Sequence, residues 1–418
     1  MEIAITVLKV ILVPVIVLNF IPLLIWFERK GAAYIQDRRG PNRAQILGIR
    51  LGGMLHNLAD VIKLLTKEEF VPAGAHRFYF ILAPFLTLFI YFVTVAVIPF
   101  ADTLEIGSWV IPLQVADLNV GLLYIFSVAS LAVYGVMLAG WSSNNKYSFL
   151  GALRASSQMI SYEVALGLSV VAIFMVAESV SLNDIVRQQG PLPWNWFFLK
   201  QPLAMILFVT AVFAETNRIP FDLPEGESEL VAGYHVEYSS MKFALFFMAE
   251  YAAMVVAAAV VVSLFFGGWQ VPFLTTEALR KGAAIYAHLL GLAISAFSVL
   301  AGLLLVSQYR RGKYRDLRDY EVLFFGIPAI LFGLGLGAFL IFIGIPILPD
   351  WFPALFAAAC QVACFLFKIA LFSFFFVWVR WTIPRFRYDQ LMSFGWKGML
   401  PLALLNIGLT GVWLLIFP

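Results

Sequence analysis

The chain has 418 residues, 62% hydrophobic and 13% charged, with a formal net charge of +3 and a mean hydropathy of +0.89. A soluble domain carries about 25% charged residues, so this composition excludes one and marks an integral membrane protein. Cys360 and Cys364 lie one helical turn apart in an apolar run, and His56, His76, His235 and His288 lack ligand spacing. These residues supply no iron–sulfur ligand set, structural metal site or disulfide framework, so redox chemistry served by this chain takes its electrons from a partner.

The first apolar run follows only Met1 and Glu2, with neither a basic n-region nor a small-residue cleavage pattern, and reads as a retained span. Runs of about twenty apolar residues suffice to cross a bilayer as helices. About ten occur, near 3–27, 78–100, 120–141, 157–178, 197–214, 241–266, 283–307, 321–345, 354–381 and 399–417. The predicted fold class is therefore all-α, with about ten transmembrane helices. The connection after the first span holds nine basic residues, from Arg29 to Arg77, whereas 101–119 holds none. Arg310, Arg311, Lys313, Arg315 and Arg318, and then Arg380, Arg385, Arg387 and Lys397, fall on the same side by alternation. The positive-inside rule puts those connections in the cytoplasm and both termini on the outer face.

Within the first connection, LGGMLHNLADVIKLLTKEE repeats Leu51, Met54, Leu55, Leu58, Ile62 and Leu65 at helical spacing, with His56, Asp60, Lys63 and Lys67 opposite. This predicts an amphipathic helix of about seventeen residues lying along the membrane surface. Such a helix either caps the bundle or forms one side of an opening for a lipid-soluble molecule.

The connection between spans five and six reads AETNRIPFDLPEGESELVAGYHVEY, over 214–238. It gathers six carboxylates, Glu215, Asp222, Glu225, Glu227, Glu229 and Glu237, around the single Arg218. Apolar residues interleave with the charges, and Pro220, Pro224, Gly226 and Gly233 break any continuous helix, so the segment is expected to fold back against the bundle. Glu163 and Glu250 sit inside the neighbouring spans on the cytoplasmic half. An acid there costs about 2.5–3.5 kcal/mol on insertion scales, which makes a functional role the first hypothesis. Burial and like-charge crowding raise carboxyl pKa values, so the cluster suits shared protons near neutrality. Taken alone, the residues leave open a structural acid paired with Arg154 or Arg218. The path enters from one side and stops, which suits a subunit that hands protons to a neighbour better than a stand-alone carrier.

The string from Ala214 to Tyr251 is similar to the signature of the membrane subunit of respiratory complex I, the proton-translocating NADH:quinone oxidoreductase, that forms the quinone site. The resemblance continues in ERKGAAYIQDRRGPN (28–42), LADVIKLLTKE (58–68), GWSSNNKYSFLGALRASSQMISYEV (140–164) and PRFRYDQLMSFGWKGMLPLAL (384–404). It implies a quinone substrate, ubiquinone or menaquinone, with no metal, flavin or iron–sulfur cluster bound in this chain. The implied partners are peripheral-arm subunits carrying the terminal iron–sulfur cluster and the quinone headgroup site, antiporter-like and small membrane subunits, and the lipid bilayer, with no nucleic acid. The implied location is the bacterial inner membrane, with the acidic loop in the cytoplasm. Position by position, Arg29, Asp60, Phe243, Phe247 and Arg380 resemble residues lining the quinone tunnel. Glu163, Glu215, Glu225, Glu227, Glu229, Glu237 and Glu250 resemble the acidic pathway that couples quinone reduction to proton movement. The membrane subunit of an energy-converting hydrogenase shares the acidic loop and remains an alternative, as does a stand-alone ion transporter. The family core has eight spans, so residues 269–352 are expected to be an inserted pair of helices within one polytopic domain, 1–418.

Overall fold

The computed structural model describes residues 2–107, 109–223, 231–309, 320–342 and 349–416. Glu225, Glu227 and Glu229 lie outside the described residues. Helix α1 (Glu2–Ile35) is followed by a tight turn at Leu51–Gly53 and the surface helix α2 (Leu55–Thr66). Then come α3 (Arg77–Val95) and a small antiparallel ladder, β1 (Leu104–Ile106) on β2 (Trp109–Ile111), in register Glu105 to Val110. The third span is two helices, α4 (Gly121–Ser130) and α5 (Ala132–Ser142), meeting at Leu131. There follow α6 (Lys146–Ala177), α7 (Leu182–Gln189), α8 (Phe197–Lys200), α9 (Pro202–Glu215), α10 (Ser240–Phe265) and α11 (Thr276–Lys281). The chain ends with α12 (Ala283–Tyr309), α13 (Tyr320–Phe342), α14 (Phe352–Thr382), α15 (Tyr388–Ser393), a π turn over Phe394–Met399 and α16 (Leu400–Ile416).

Helices dominate because a hydrocarbon environment offers the backbone no partner but itself. Among the described residues nine helical segments are long and apolar enough to cross a membrane. The expected span at 197–214 is broken. Gln201 takes an extended φ of −133° ahead of Pro202, which cannot donate to the preceding turn, so α9 keeps only 14 residues. At about 21 Å it is short for a full crossing.

Helix α10 is the axis of the bundle, touching α1, α2, α3, α7, α9 and α14. Just past its C-terminal end the chain turns three carbonyls toward Lys368 of α14. The Lys368 ammonium donates to the carbonyls of Phe266, Gly268 and Gln270 at 2.9, 2.9 and 2.8 Å, a full set of acceptors for its three protons. At the periphery, α12 and α13 pack on each other. Gly302 meets Gly326, and Ser295 Oγ donates to the Gly333 carbonyl at 2.7 Å. A Cβ on Gly302 would fall 2.7 Å from the Gly326 oxygen, so small residues set the close approach.

Candidate functional site: a lipid-side cavity and a buried charge cluster

Three elements enclose a cavity of about 420 Å3: α1, the surface helix α2 and the start of α10. Leu18, Ile21, Ile25, Val61, Phe243 and Phe247 give it apolar walls, while Arg29, Asn57, Asp60 and Lys63 give it polar points. The volume and this mixture match a site for a small, largely apolar molecule. Helix α2 turns its polar side inward. Leu58, Ile62 and Leu65, its apolar stripe, are 47%, 52% and 62% exposed on the outside, where lipid would meet them. Arg29 Nη1 donates to Asp60 Oδ2 at 2.5 Å across the cavity wall. Further ties hold α2 in place: Trp26 Nε1 donates to the Gly52 carbonyl at 3.1 Å, Asn57 to the Pro22 carbonyl at 2.5 Å, and Ser240 Oγ to the Leu64 carbonyl at 2.8 Å.

Successive residues on a helix point about 100° apart, and the three charges Glu28, Arg29 and Lys30 use this to face three ways. Arg29 faces the cavity, and Lys30 donates to Asn42 Oδ1 at 2.8 Å, holding the chain beyond α1. Glu28 turns into the bundle. Its Oε2 accepts from Arg218 Nη1 and from the Tyr251 hydroxyl, both at 2.8 Å, and its Oε1 accepts from Arg380 Nη1 at 2.6 Å. Arg218, with a fully buried side chain, also meets Glu250 at 2.7 Å and lies 4.4 Å over the Tyr251 ring. Two acids and two arginines thus form a largely buried, charge-balanced cluster one residue away from the cavity wall.

The acidic loop folds back on the bundle at both described ends. Gln158 of α6 donates to the carbonyls of Ala214 and Phe221 at 2.8 Å each. Asp222 accepts from Arg385 at 2.8 Å, yet burial, with Glu250 nearby, pushes its carboxyl up to about 6. On the far side of the loop Gly233 lies against Gly151, where a Cβ would come within 2.7 Å of the Gly233 Cα. Glu237 accepts from Asn145 Nδ2 at 2.6 Å, beside the Asn145 cap of α6. Burial holds the His235 imidazole down at about 4, so it stays neutral at physiological pH.

Deeper in, Glu163 on α6 and Glu215 at the end of α9 are half-buried and act on each other as like charges. Among the described residues neither has an ion-pair partner, unlike Glu250. A void of about 30 Å3 touches both Glu215 and Glu250, and a second of about 30 Å3 runs from Glu215 along Leu166 and Val260. Each is large enough for one water molecule. Among the described residues no group of three His, Cys, Asp or Glu side chains could hold a metal ion.

The family model described as NADH dehydrogenase matches residues 8–411. This chain belongs to the NADH dehydrogenase family. It is 41% identical over 390 residues to an NADH-quinone oxidoreductase H subunit of Solibacter usitatus, covering 92% of this chain and 90% of that one. The protein of the same name from Cytophaga hutchinsonii is 42% identical over 390 residues, 93% of this chain and 91% of its own. The NADH-quinone oxidoreductase H subunit of Flavobacterium psychrophilum is 42% identical over 392 residues, 94% and 92%.

Of the cavity residues expected from sequence in this NADH dehydrogenase family chain, Arg29, Asp60, Phe243 and Phe247 line one space. Arg380 does not reach that wall and instead pairs with Glu28 behind it. Of the expected acids, Glu163, Glu215 and Glu250 gather near the bundle interior, and Glu237 stands apart at the α6 cap. Sequence reasoning passed over Glu28 and Tyr251. An acid near the end of a long apolar helix was the available signal for Glu28, hidden because Arg29 and Lys30 follow it. A lone Tyr251 beside Glu250 carries no such signal.

Proposed function

We propose that this chain is the quinone-site membrane subunit of a bacterial proton-translocating NADH:quinone oxidoreductase, and that the cavity between α1, α2 and α10 receives the quinone. What supports the first part is the family match over residues 8–411 and relatives named as H subunits of NADH-quinone oxidoreductase at about 41% identity. The observation that carries the second is adjacency. On α1, Arg29 touches the apolar cavity while its neighbour Glu28 touches the buried cluster. A greasy acceptor and a charge network are separated by one residue step.

In this reading the quinone tail lies against Phe243, Phe247 and Ile25, and the ring is handed to peripheral-arm subunits that bring electrons from their terminal iron–sulfur cluster. Reduction adds two electrons and two protons to the quinone and releases the quinol into the bilayer. Transient negative charge near Arg29 and Arg380 alters the balance at Glu28 and Arg218, and through Glu250 reaches Glu215 and Glu163. From there antiporter-like subunits take up the change. The acidic loop faces the cytoplasm across the inner membrane, and the substrate is ubiquinone or menaquinone.

Photolabelling the assembled complex with an azido-quinone tests the assignment. Label on residues 57–64 and 241–248, displaced by excess unlabelled quinone, is the expected outcome. Competable label confined to other segments would overturn it.

A further inference from the structure

We propose that Glu321, in the first turn of α13, is a positioning residue for the mouth of the quinone cavity. Its carboxylate fixes the turn from which α2 starts, so the α12–α13 hairpin braces the wall that α2 supplies. The inference rests on the quinone reading of that cavity.

The contact spans 271 residues of sequence. Glu321 Oε1 accepts from two successive backbone N–H groups, Arg50 at 3.0 Å and Leu51 at 2.6 Å, and Oε2 accepts from Arg50 Nε at 2.8 Å. The Arg50 and Glu321 side chains are only 11% and 10% exposed. Arg50 is right-handed at φ −117° and ψ −19°, while Leu51 is left-handed at φ 48°. A right-handed residue followed by a left-handed one makes consecutive N–H groups converge on a single anion. The carboxylate therefore does two things: it pairs with a largely buried guanidinium and accepts from both amides of a turn that leucine rarely adopts unaided.

What the turn positions is the cavity wall. After Leu51 come Gly52 and Gly53, both at positive φ, and the carbonyl of Gly52 is tied to Trp26 of α1. Helix α2 begins at Leu55 and carries Asn57, Asp60 and Lys63 to the cavity. Among the described residues the hairpin's larger contacts with the bundle are at α11 and α14. Glu321 joins it to the substrate side as well.

The test uses the assembled complex in native membranes with Glu321→Ala, Glu321→Gln, and Glu321→Ala combined with Leu51→Gly. Two quantities are read: KM and kcat for a long-tailed quinone, and hydrogen–deuterium exchange over residues 50–66. Glu321→Ala should raise KM by roughly three- to tenfold while kcat stays within about twofold, because substrate positioning is lost and the chemistry is not. The Arg50 and Leu51 amides should exchange faster. Leu51→Gly should return KM, and exchange over α2, toward wild type, since glycine holds positive φ without a bound carboxylate, while the amides of residues 50 and 51, their acceptor lost, stay fast. A merely structural loss would not be rescued this way. Should the alanine variant fail to assemble, Glu321→Gln keeps the shape and one acceptor oxygen for the two amides but loses the charged contact with Arg50, and a smaller KM rise in the same direction is expected of it. Unchanged exchange at residues 50 and 51, a fall in kcat at constant KM, or absence of rescue each overturns the proposal. A wild-type complex that reduces no quinone overturns the functional reading instead, and the exchange measurement still decides on the clamp.

Discussion

Arg380 reaches Glu28 across 352 residues of sequence, its Nη1 donating to Oε1 at 2.6 Å, while Arg218 holds the other carboxylate oxygen at 2.8 Å. With Glu250 on Arg218, two negative and two positive side chains cancel around a guanidinium, Arg218, that is fully buried. Such a cluster tolerates no single deletion, because each partner removed leaves an uncompensated charge in a low dielectric. Glu28→Gln should therefore cost roughly 3–5 kcal/mol of stability and reduce the fraction of assembled complex. Thermal unfolding of solubilised complex, with native electrophoresis for assembly, measures this. A variant that melts and assembles like wild type would show that water reaches the cluster.

The Arg29–Asp60 pair at the cavity behaves in the opposite way. Its side chains are 41% and 34% exposed, and a pair that open contributes about 0–1 kcal/mol. Arg29→Ala should leave melting almost unchanged and appear in kinetics, raising the apparent KM for quinone roughly tenfold with a smaller effect on kcat. Lowered stability with an unaltered KM would make Arg29 a scaffold residue only.

Glu163 has no ion-pair partner among the described residues, so its charge is a net cost to the folded bundle. Glu163→Gln should match or exceed wild type in thermal stability while lowering quinone reductase turnover and proton movement in parallel by roughly tenfold or more. Glu215→Gln is expected to follow it. The combination separates a working acid from a structural one, which would lose stability and keep turnover. Full pumping in Glu163→Gln complexes reconstituted in liposomes would remove Glu163 from the pathway.

Asp222 supplies a pH signature. Its carboxyl rises from 3.8 in the free residue to about 6 in the fold, chiefly through burial. The folded state thus binds this proton more tightly than the unfolded state. The resulting stability is fully present below the lower value and lost as pH rises through the upper one. Asp222→Asn abolishes that titration, so the stability difference between variant and wild type should change by on the order of 3 kcal/mol between about pH 4 and 6. Parallel curves over that window would mean the carboxyl is ordinary.

The spans were legible because twenty apolar residues in a row have one physical use, and α2 because its polar residues recur at helical spacing. Which way α2 faces was not legible. Periodicity separates an apolar stripe from a polar one, but beside a bilayer the outside can be oilier than the cavity, and Leu58 and Ile62 accordingly face out while Asp60 faces in. The break at Gln201 was written in Pro202 but masked by the hydropathy around it. Arg29, Asp60, Phe243 and Phe247 stood in recognisable motifs, and the structure gathers them. The seat of Arg380 on Glu28 and the grip of Glu321 on Arg50 join residues hundreds of positions apart, and no local pattern encodes such a meeting.

The seam between α12 and α13, glycine against glycine with serine hydroxyls turned to facing carbonyls, joins the two helices closely and leaves Phe297, Leu331 and Phe342 pointing outward. Small residues at such a seam let two apolar helices pair within the bilayer by close packing and hydrogen bonds between them. Because two crossings return the chain to the face it left, the ribosome delivers α14 in the same orientation it would have had directly after α11.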